Sequence, residues 1–170
     1  MVAGSDAEVT SANRTTLERP TDRELVIART FNGPSRVVFD AWTKPELLKR
    51  WWAPRSLGVS LFSCDADVRV DGAYRYVFGR AADAPMAFSG VYTKVSPPSC
   101  LVYTQMFEAA REAGEAIVTA TFDEQHGKTH LVLHSLYPTK QALDGALAAG
   151  MERGMRETMD QLDKLVGSLR

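Results

Sequence analysis

Residues 23–31, RELVIARTF, alternate Leu25 and Ile27 with Val26 and Ala28, a period of two that predicts a β-strand. Asn32-Gly33-Pro34 breaks the run, and Pro34 suits the first turn of a helix, where a missing N–H costs little. Val37, Val38, Ala41 and Trp42 then recur at helical spacing and share one face. A second short helix follows at once. Thr43 and Glu46 have the T-x-x-E spacing of a capping box, Pro45 sits inside the first turn, and Pro54 stops the segment.

The middle of the chain returns to period two. GVSLFSCDADVRV and AYRYVF flank Asp71-Gly72, a hairpin signal. MAFSGVYTKV and CLVYTQMF are separated by SPPS, and EAIVTATF and KTHLVLHSL by DEQHG. Consecutive strands joined by short turns pair antiparallel, so these six form a meander, and the first strand brings the expected count to seven. From Thr139 to Gly167 the period changes to that of a long helix, bent near Gly145–Gly150, with Thr139 as N-cap and Gly167 just past its end. Leu143, Leu147, Met151, Met155, Leu162 and Leu165 form its apolar stripe. The class is therefore α+β, with one curved antiparallel sheet burying its apolar face on the long helix.

The first 20 residues break both periods. They are rich in Ser, Thr, Ala and charge, with Val9 and Leu17 isolated, and the expectation is a flexible arm over 1–21 before a single domain over 22–170. A formal net charge of −1 leaves no basic footprint for nucleic acid. No apolar run approaches the roughly 20 residues needed to cross a bilayer, so no membrane insertion and a cytoplasmic setting are expected. Cys64 and Cys100 show neither CxxC nor metal-ligand spacing and read as reduced thiols.

Candidate chemistry concentrates on the long helix and the strands facing it. Gly150 and Gly154 lie beside Met151, Met155 and Met159, and each interior glycine costs about 1 kcal/mol relative to alanine. Close approach to the sheet or room for a guest would compensate, and methionine offers an adaptable lining for either. Tyr74, Tyr76 and Phe78 share one strand face, Phe88 and Tyr92 the next, and Tyr103 and Phe107 the one after. An aromatic core and a mostly apolar pocket with hydroxyl anchors both fit this pattern. His126, His130 and His134 are spaced by four, but on a strand such residues lie about 13 Å apart and cannot share a metal, so no metal or cofactor is expected. Asp65, Asp67 and Arg69 share a strand face as a charge ladder. No nucleophile–base motif can be read from spacing.

ELVIARTFNGPSRVVFDAWTKPELLKRWWAP, DVRVDGAYRYVF, IVTATFDEQHGKTHLVLH and GMERGMRETMDQLDKLV together resemble, in order, the activator of heat-shock-protein-90 ATPase homologue-like family of the START/SRPBCC superfamily. The resemblance implies a helix-grip fold, a seven-stranded antiparallel sheet wrapped around a C-terminal helix with a cavity between them. It implies binding of a small, mostly apolar molecule, or a cyclase- or hydrolase-like activity using a tyrosine hydroxyl, Arg69 or His134, or a chaperone-associated interaction module. Carried over by position, the pocket candidates are Trp52, Tyr74, Tyr76, Phe88, Tyr103, Met151, Gly154, Met155 and Thr158. A homodimer is compatible with the sequence, though no feature demands it. Gly33 stands where the family often has alanine, a departure expected to affect only a turn. Of the adjacent tryptophans, Trp51 should anchor the short helix on the core while Trp52 reaches toward the cavity mouth.

Overall fold

The computed structural model describes residues 14–169. Its elements run β1 (Thr16–Thr21), β2 (Glu24–Phe31), α1 (Ser35–Thr43), α2 (Pro45–Trp51), β3 (Ser60–Ala66), β4 (Ala73–Gly79), β5 (Met86–Ser96), β6 (Cys100–Phe107), β7 (Ala116–Gln125), β8 (Lys128–Leu136), α3 (Lys140–Ala148) and α4 (Met151–Leu169). Short 3-10 turns at Arg55–Leu57 and Glu108–Ala113 complete the connections. All strands pair antiparallel in the order β1-β2-β8-β7-β6-β5-β4-β3, so β3 through β8 form the expected meander. This is the helix-grip architecture, with eight strands rather than seven.

The extra strand is β1, which pairs Thr16 with Ala28 and Leu17 with Ile27. Its sequence TLERPT holds one large apolar residue and a proline, which an edge strand tolerates because half of its backbone groups need no partner. The ordered domain therefore starts before residue 22, and residues 1–13 of the expected arm lie outside the described residues. Thr15 is buried at the start of this segment, taking a hydrogen bond from Arg29 on Oγ1 and one from Arg156 on its carbonyl. Arg29 lies on the inner side of β2 between Ile27 and Phe31, and it pairs with Asp160 at 2.5 Å and Asp163 at 3.3 Å. A buried guanidinium needs such partners. These contacts fasten the sheet edge to α4.

Four local expectations change. Thr43 does not cap α2: it is the last residue of α1, its hydroxyl donates to the Phe39 carbonyl at 2.8 Å, and Lys44 serves both helix ends. The hairpin strand ends at Ala66 rather than Val70, so Asp67 and Arg69 sit in a loop, joined by a 2.8 Å ion pair, and form no ladder with Asp65. Gly167 lies inside α4, which continues to Leu169. A Cβ at Gly33 would lie 2.6 Å from Val166 Cγ1, so this glycine sets how closely the chain before α1 approaches α4, beyond any role in a turn.

Other expectations are met. Thr139 accepts a hydrogen bond from the Ala142 N–H at 3.0 Å and caps α3. The anticipated bend is a full break at Gly150, where φ is +90°, a conformation glycine adopts without steric cost. α1 begins without a side-chain cap of its own. Glu124 of β7 supplies one, accepting from the Ser35 N–H at 2.7 Å and from its hydroxyl at 3.1 Å.

Candidate functional site

Alternation assigns the inner face of each strand. Cys64 and Ala66 of β3 stand with Tyr74, Tyr76 and Phe78 of β4, Phe88 and Tyr92 of β5, Tyr103 and Phe107 of β6, Val118 of β7 and Ser135 of β8. Ring centroids make this a continuous aromatic wall. Tyr74 lies 5.0 Å from Tyr76, 5.4 Å from Tyr92 and 5.6 Å from Tyr103, while Phe88 lies 5.4 Å from Phe78 and 5.1 Å from Phe107. Phe78, Phe88, Tyr103 and Phe107 point inward and yet are only half-buried. Inward side chains that keep accessible surface border a recess instead of a filled core.

The helix opposite behaves the same way over its first half. Met159, Leu162, Leu165 and Val166 are buried, whereas Met151, Gly154 and Met155, on the same stripe, are partly exposed. A Cβ built at Gly154 would meet nothing within 4 Å, so close approach to the sheet does not account for this glycine. Thr158 marks the transition: it is buried, with its hydroxyl donating to the Met155 carbonyl at 3.2 Å. Tyr137, after β8, donates to Met151 Sδ at 3.7 Å, just past the α3–α4 break.

The adjacent tryptophans divide as their helical rotation suggests. Trp51 is buried, donates its indole N–H to the Ala41 carbonyl at 2.8 Å, and packs on Trp42 with centroids 4.8 Å apart. Trp52 faces the wall edge-on, 5.5 Å from Tyr76, 5.1 Å from Phe78 and 5.9 Å from Phe88. The loop after it is clamped to α4. Gln161 donates to the carbonyls of Trp51 and Ala53 at 2.8 and 2.7 Å and accepts from the Arg55 N–H, and Glu157 accepts from the Ser56 N–H and hydroxyl. Neither Gln161 nor Glu157 stood among the candidates. Their signal was a polar pair four residues apart on the flank of an apolar stripe.

Of the nine candidates, Trp52, Tyr76 and Phe88 meet directly, and Tyr74 links Tyr76 to Tyr103. Tyr74 differs from Tyr103 in that its hydroxyl is already used, donating to the Thr104 carbonyl at 2.6 Å. Gly90 makes room for that bond, since a Cβ there would lie 1.9 Å from the same oxygen. Met151, Gly154, Met155 and Thr158 lie on α4, the first three partly exposed and Thr158 buried. Tyr92, Phe107 and Tyr137 belong to the same wall and were missed as site residues, because pairing partners become specific only once the register is known.

The electrostatics are those of a neutral site. Burial pushes the Tyr74, Tyr76 and Tyr103 hydroxyls well above the usual phenol range and raises those of Tyr92 and Tyr137, so all five stay protonated. Burial also pushes the Cys64 thiol up to about 11, which keeps it un-ionised and a poor nucleophile. Two expected acid–base candidates lie elsewhere. Arg69 is in the loop on Asp67, and His134 is on the outer face of β8, 2.6 Å from Glu24. His130 also faces outward, 3.1 Å from the Thr30 hydroxyl, and no metal-holding cluster occurs among the described residues. Two open grooves of about 420 and 250 Å³ meet at Arg75 on the outer side of β4 and β5. Glu108 forms a two-point ion pair with Arg75 there, with the Arg75 side chain half exposed and Glu108 more covered.

Residues 32–167 match the family model described as Activator of Hsp90 ATPase homolog 1-like protein. Among solved structures, a protein of Rhodobacter sphaeroides aligns with TM-score 0.84 and 24% identity, over 92% of this chain and 100% of its own. A Staphylococcus epidermidis protein aligns with TM-score 0.72 and 28% identity, over 90% of this chain and 94% of its own. An AHSA1-like protein of Aeromonas hydrophila aligns with TM-score 0.65 and 18% identity, over 82% and 93%. No curated protein matches the chain. Among the described residues no helix is long and apolar enough to cross a membrane.

Proposed function

The chain belongs to the Activator of Hsp90 ATPase homolog 1-like family, and from that premise we propose that it binds a small, mostly apolar molecule in the recess between the sheet and α4. One observation carries the reading. The apolar stripe of α4 is buried from Thr158 onward, yet Met151, Gly154 and Met155 on the same stripe stay partly exposed, and a Cβ at Gly154 would meet nothing within 4 Å. Leaving such surface unfilled forgoes roughly 25 cal/mol per Å² of apolar burial, which a guest would recover. The two free cysteines suit a reducing compartment, so a cytoplasmic pool is the expected source of the ligand.

A cyclase- or hydrolase-like reading gains less support. Among the described inward-facing groups of the recess, the titratable ones are tyrosines and Cys64, all held in their protonated forms. Activation of the Hsp90 ATPase, which the family description mentions, stays with the protein that description refers to.

The test is native mass spectrometry of the protein purified from its own host. We expect a retained small molecule in the wild type and its loss in Gly154→Leu, with both proteins giving the same circular dichroism spectrum. A folded Gly154→Leu variant that keeps the same molecule would overturn the proposal.

A further inference from the structure

Building on the ligand-binding reading, we propose that the recess selects uncharged molecules carrying a hydrogen-bond acceptor, such as a ketone or ester carbonyl, and that Tyr92 and Tyr103 are the donors. The two tyrosines are register partners across β5 and β6, with ring centroids 6.1 Å apart on the inner face. Neither hydroxyl has a protein hydrogen-bond partner at ordinary distance among the described residues. Neither is sealed in, since the only buried, unpartnered side-chain polar atoms described are Arg29 Nε and Asn32 Oδ1. Each hydroxyl therefore keeps a little accessible surface, although the Tyr92 side chain as a whole is buried.

Their protons are free to be given away. The Trp42 indole, which can only donate, approaches Tyr103 at longer range, and Tyr76 approaches Tyr92; each neighbour partly offsets the rise that burial causes. A hydroxyl that accepts from behind keeps its own hydrogen for whatever lies in front. Tyr74, by contrast, spends its proton on the Thr104 carbonyl.

Charge completes the selection. The inward positions of β3 to β6 and the recess side of α4 carry apolar, tyrosine, glutamine or threonine side chains and no lysine, arginine or histidine. The buried cation of the fold, Arg29, is committed to Asp160 and Asp163 beyond the closed part of the interface. A carboxylate in the recess would lose its hydration for two phenol hydrogen bonds, with only the exposed Lys49, whose field reaches Cys64, as a counter-charge, a poor exchange in a low-dielectric site. A carbonyl gives up far less water and gains the same bonds.

Three probes of one size test this by isothermal titration calorimetry: 2-acetylnaphthalene, 2-ethylnaphthalene and 2-naphthoate. The ketone is expected to bind about 3- to 10-fold more tightly than the hydrocarbon, the worth of one net hydrogen bond, and at least about 10-fold more tightly than the carboxylate. In Tyr103→Phe and Tyr92→Phe, which keep the rings, the ketone's advantage over the hydrocarbon should shrink while hydrocarbon affinity holds. Equal binding of all three, or an advantage untouched by both variants, overturns the selection rule and leaves the recess standing. If no probe binds the wild type, the ligand-binding reading fails together with it.

Discussion

The two halves of α4 use one stripe for opposite ends. From Met159 to Val166, close-packed Met, Leu and Val side chains lie against a core that includes Ile27, Phe31, Val38, Leu48 and Leu131, with all but a few per cent of their surface removed from water. From Met151 to Met155 the stripe holds methionines and a glycine, stays partly exposed, and would give a Gly154 Cβ no neighbour within 4 Å. The closed half is clamped on both sides, by Arg29 to Asp160 and Asp163, and by Gln161 to the loop after α2. Close packing and partial exposure are thus separated along a single helix. A fold can keep a hole at one end when the other end holds the helix in place.

The comparison breaks most directly at its closed end. Leu162→Ala should cost about 2–5 kcal/mol by removing a fully buried side chain, read as a shift of the urea midpoint, whereas Met155→Ala in the open half should cost less than about 1 kcal/mol. Equal losses would mean that the recess is packed after all. Next in size, Trp51→Phe strips the Ala41 carbonyl of its donor and should cost about 1–3 kcal/mol, while Trp52→Leu should act mainly on 2-acetylnaphthalene affinity. Interchangeable effects of the two would erase the division between neighbours. Gly154→Ala should stabilise by up to about 1 kcal/mol, since helix propensity improves and nothing stands in the way of the methyl group. A loss of stability would place an unseen contact there.

The smallest effect lies on the outer face. Arg75, with Ser89, holds the Glu108 carboxyl down to about 2 from its ordinary 4.5. A depressed carboxylate contributes stability that is present above the ordinary value and is lost as pH falls through the folded one. Glu108→Gln should therefore flatten the acid fall in Tm between pH 4.5 and about 2 slightly, by little because the Arg75 side chain of the pair is half exposed. An unchanged acid limb would show that the pair contributes nothing measurable.

Legibility followed the physics of each signal. The meander, the two short helices and the break near Gly150 were readable because hydrophobic period, proline and glycine act within a few residues. β1 was not, since TLERPT borrows its stability from pairing with β2 and carries almost no apolar pattern of its own. The Thr43–Glu46 spacing misled because the same threonine was already bound into the preceding helix. For the site, the sequence placed the tyrosines on one face but could not say which hydroxyls were spent. That Tyr74 donates to a backbone carbonyl and Tyr92 does not depends on the register of β4, β5 and β6. Arg29 occupies an inward position of RELVIARTF that was not singled out from the sequence, and only its partners on α4 explain it.

The placement of the tryptophans also equips the molecule with its own optics. Trp42 and Trp51 form a close pair of chromophores inside the packed region, 4.8 Å apart, so their coupled absorption follows folding. Trp52 stands apart from them among Tyr76, Phe78 and Phe88, where an incoming molecule would replace water near the indole and shift its emission to shorter wavelength. Folding and the proposed occupancy would therefore write to separate spectral channels in the unlabelled protein.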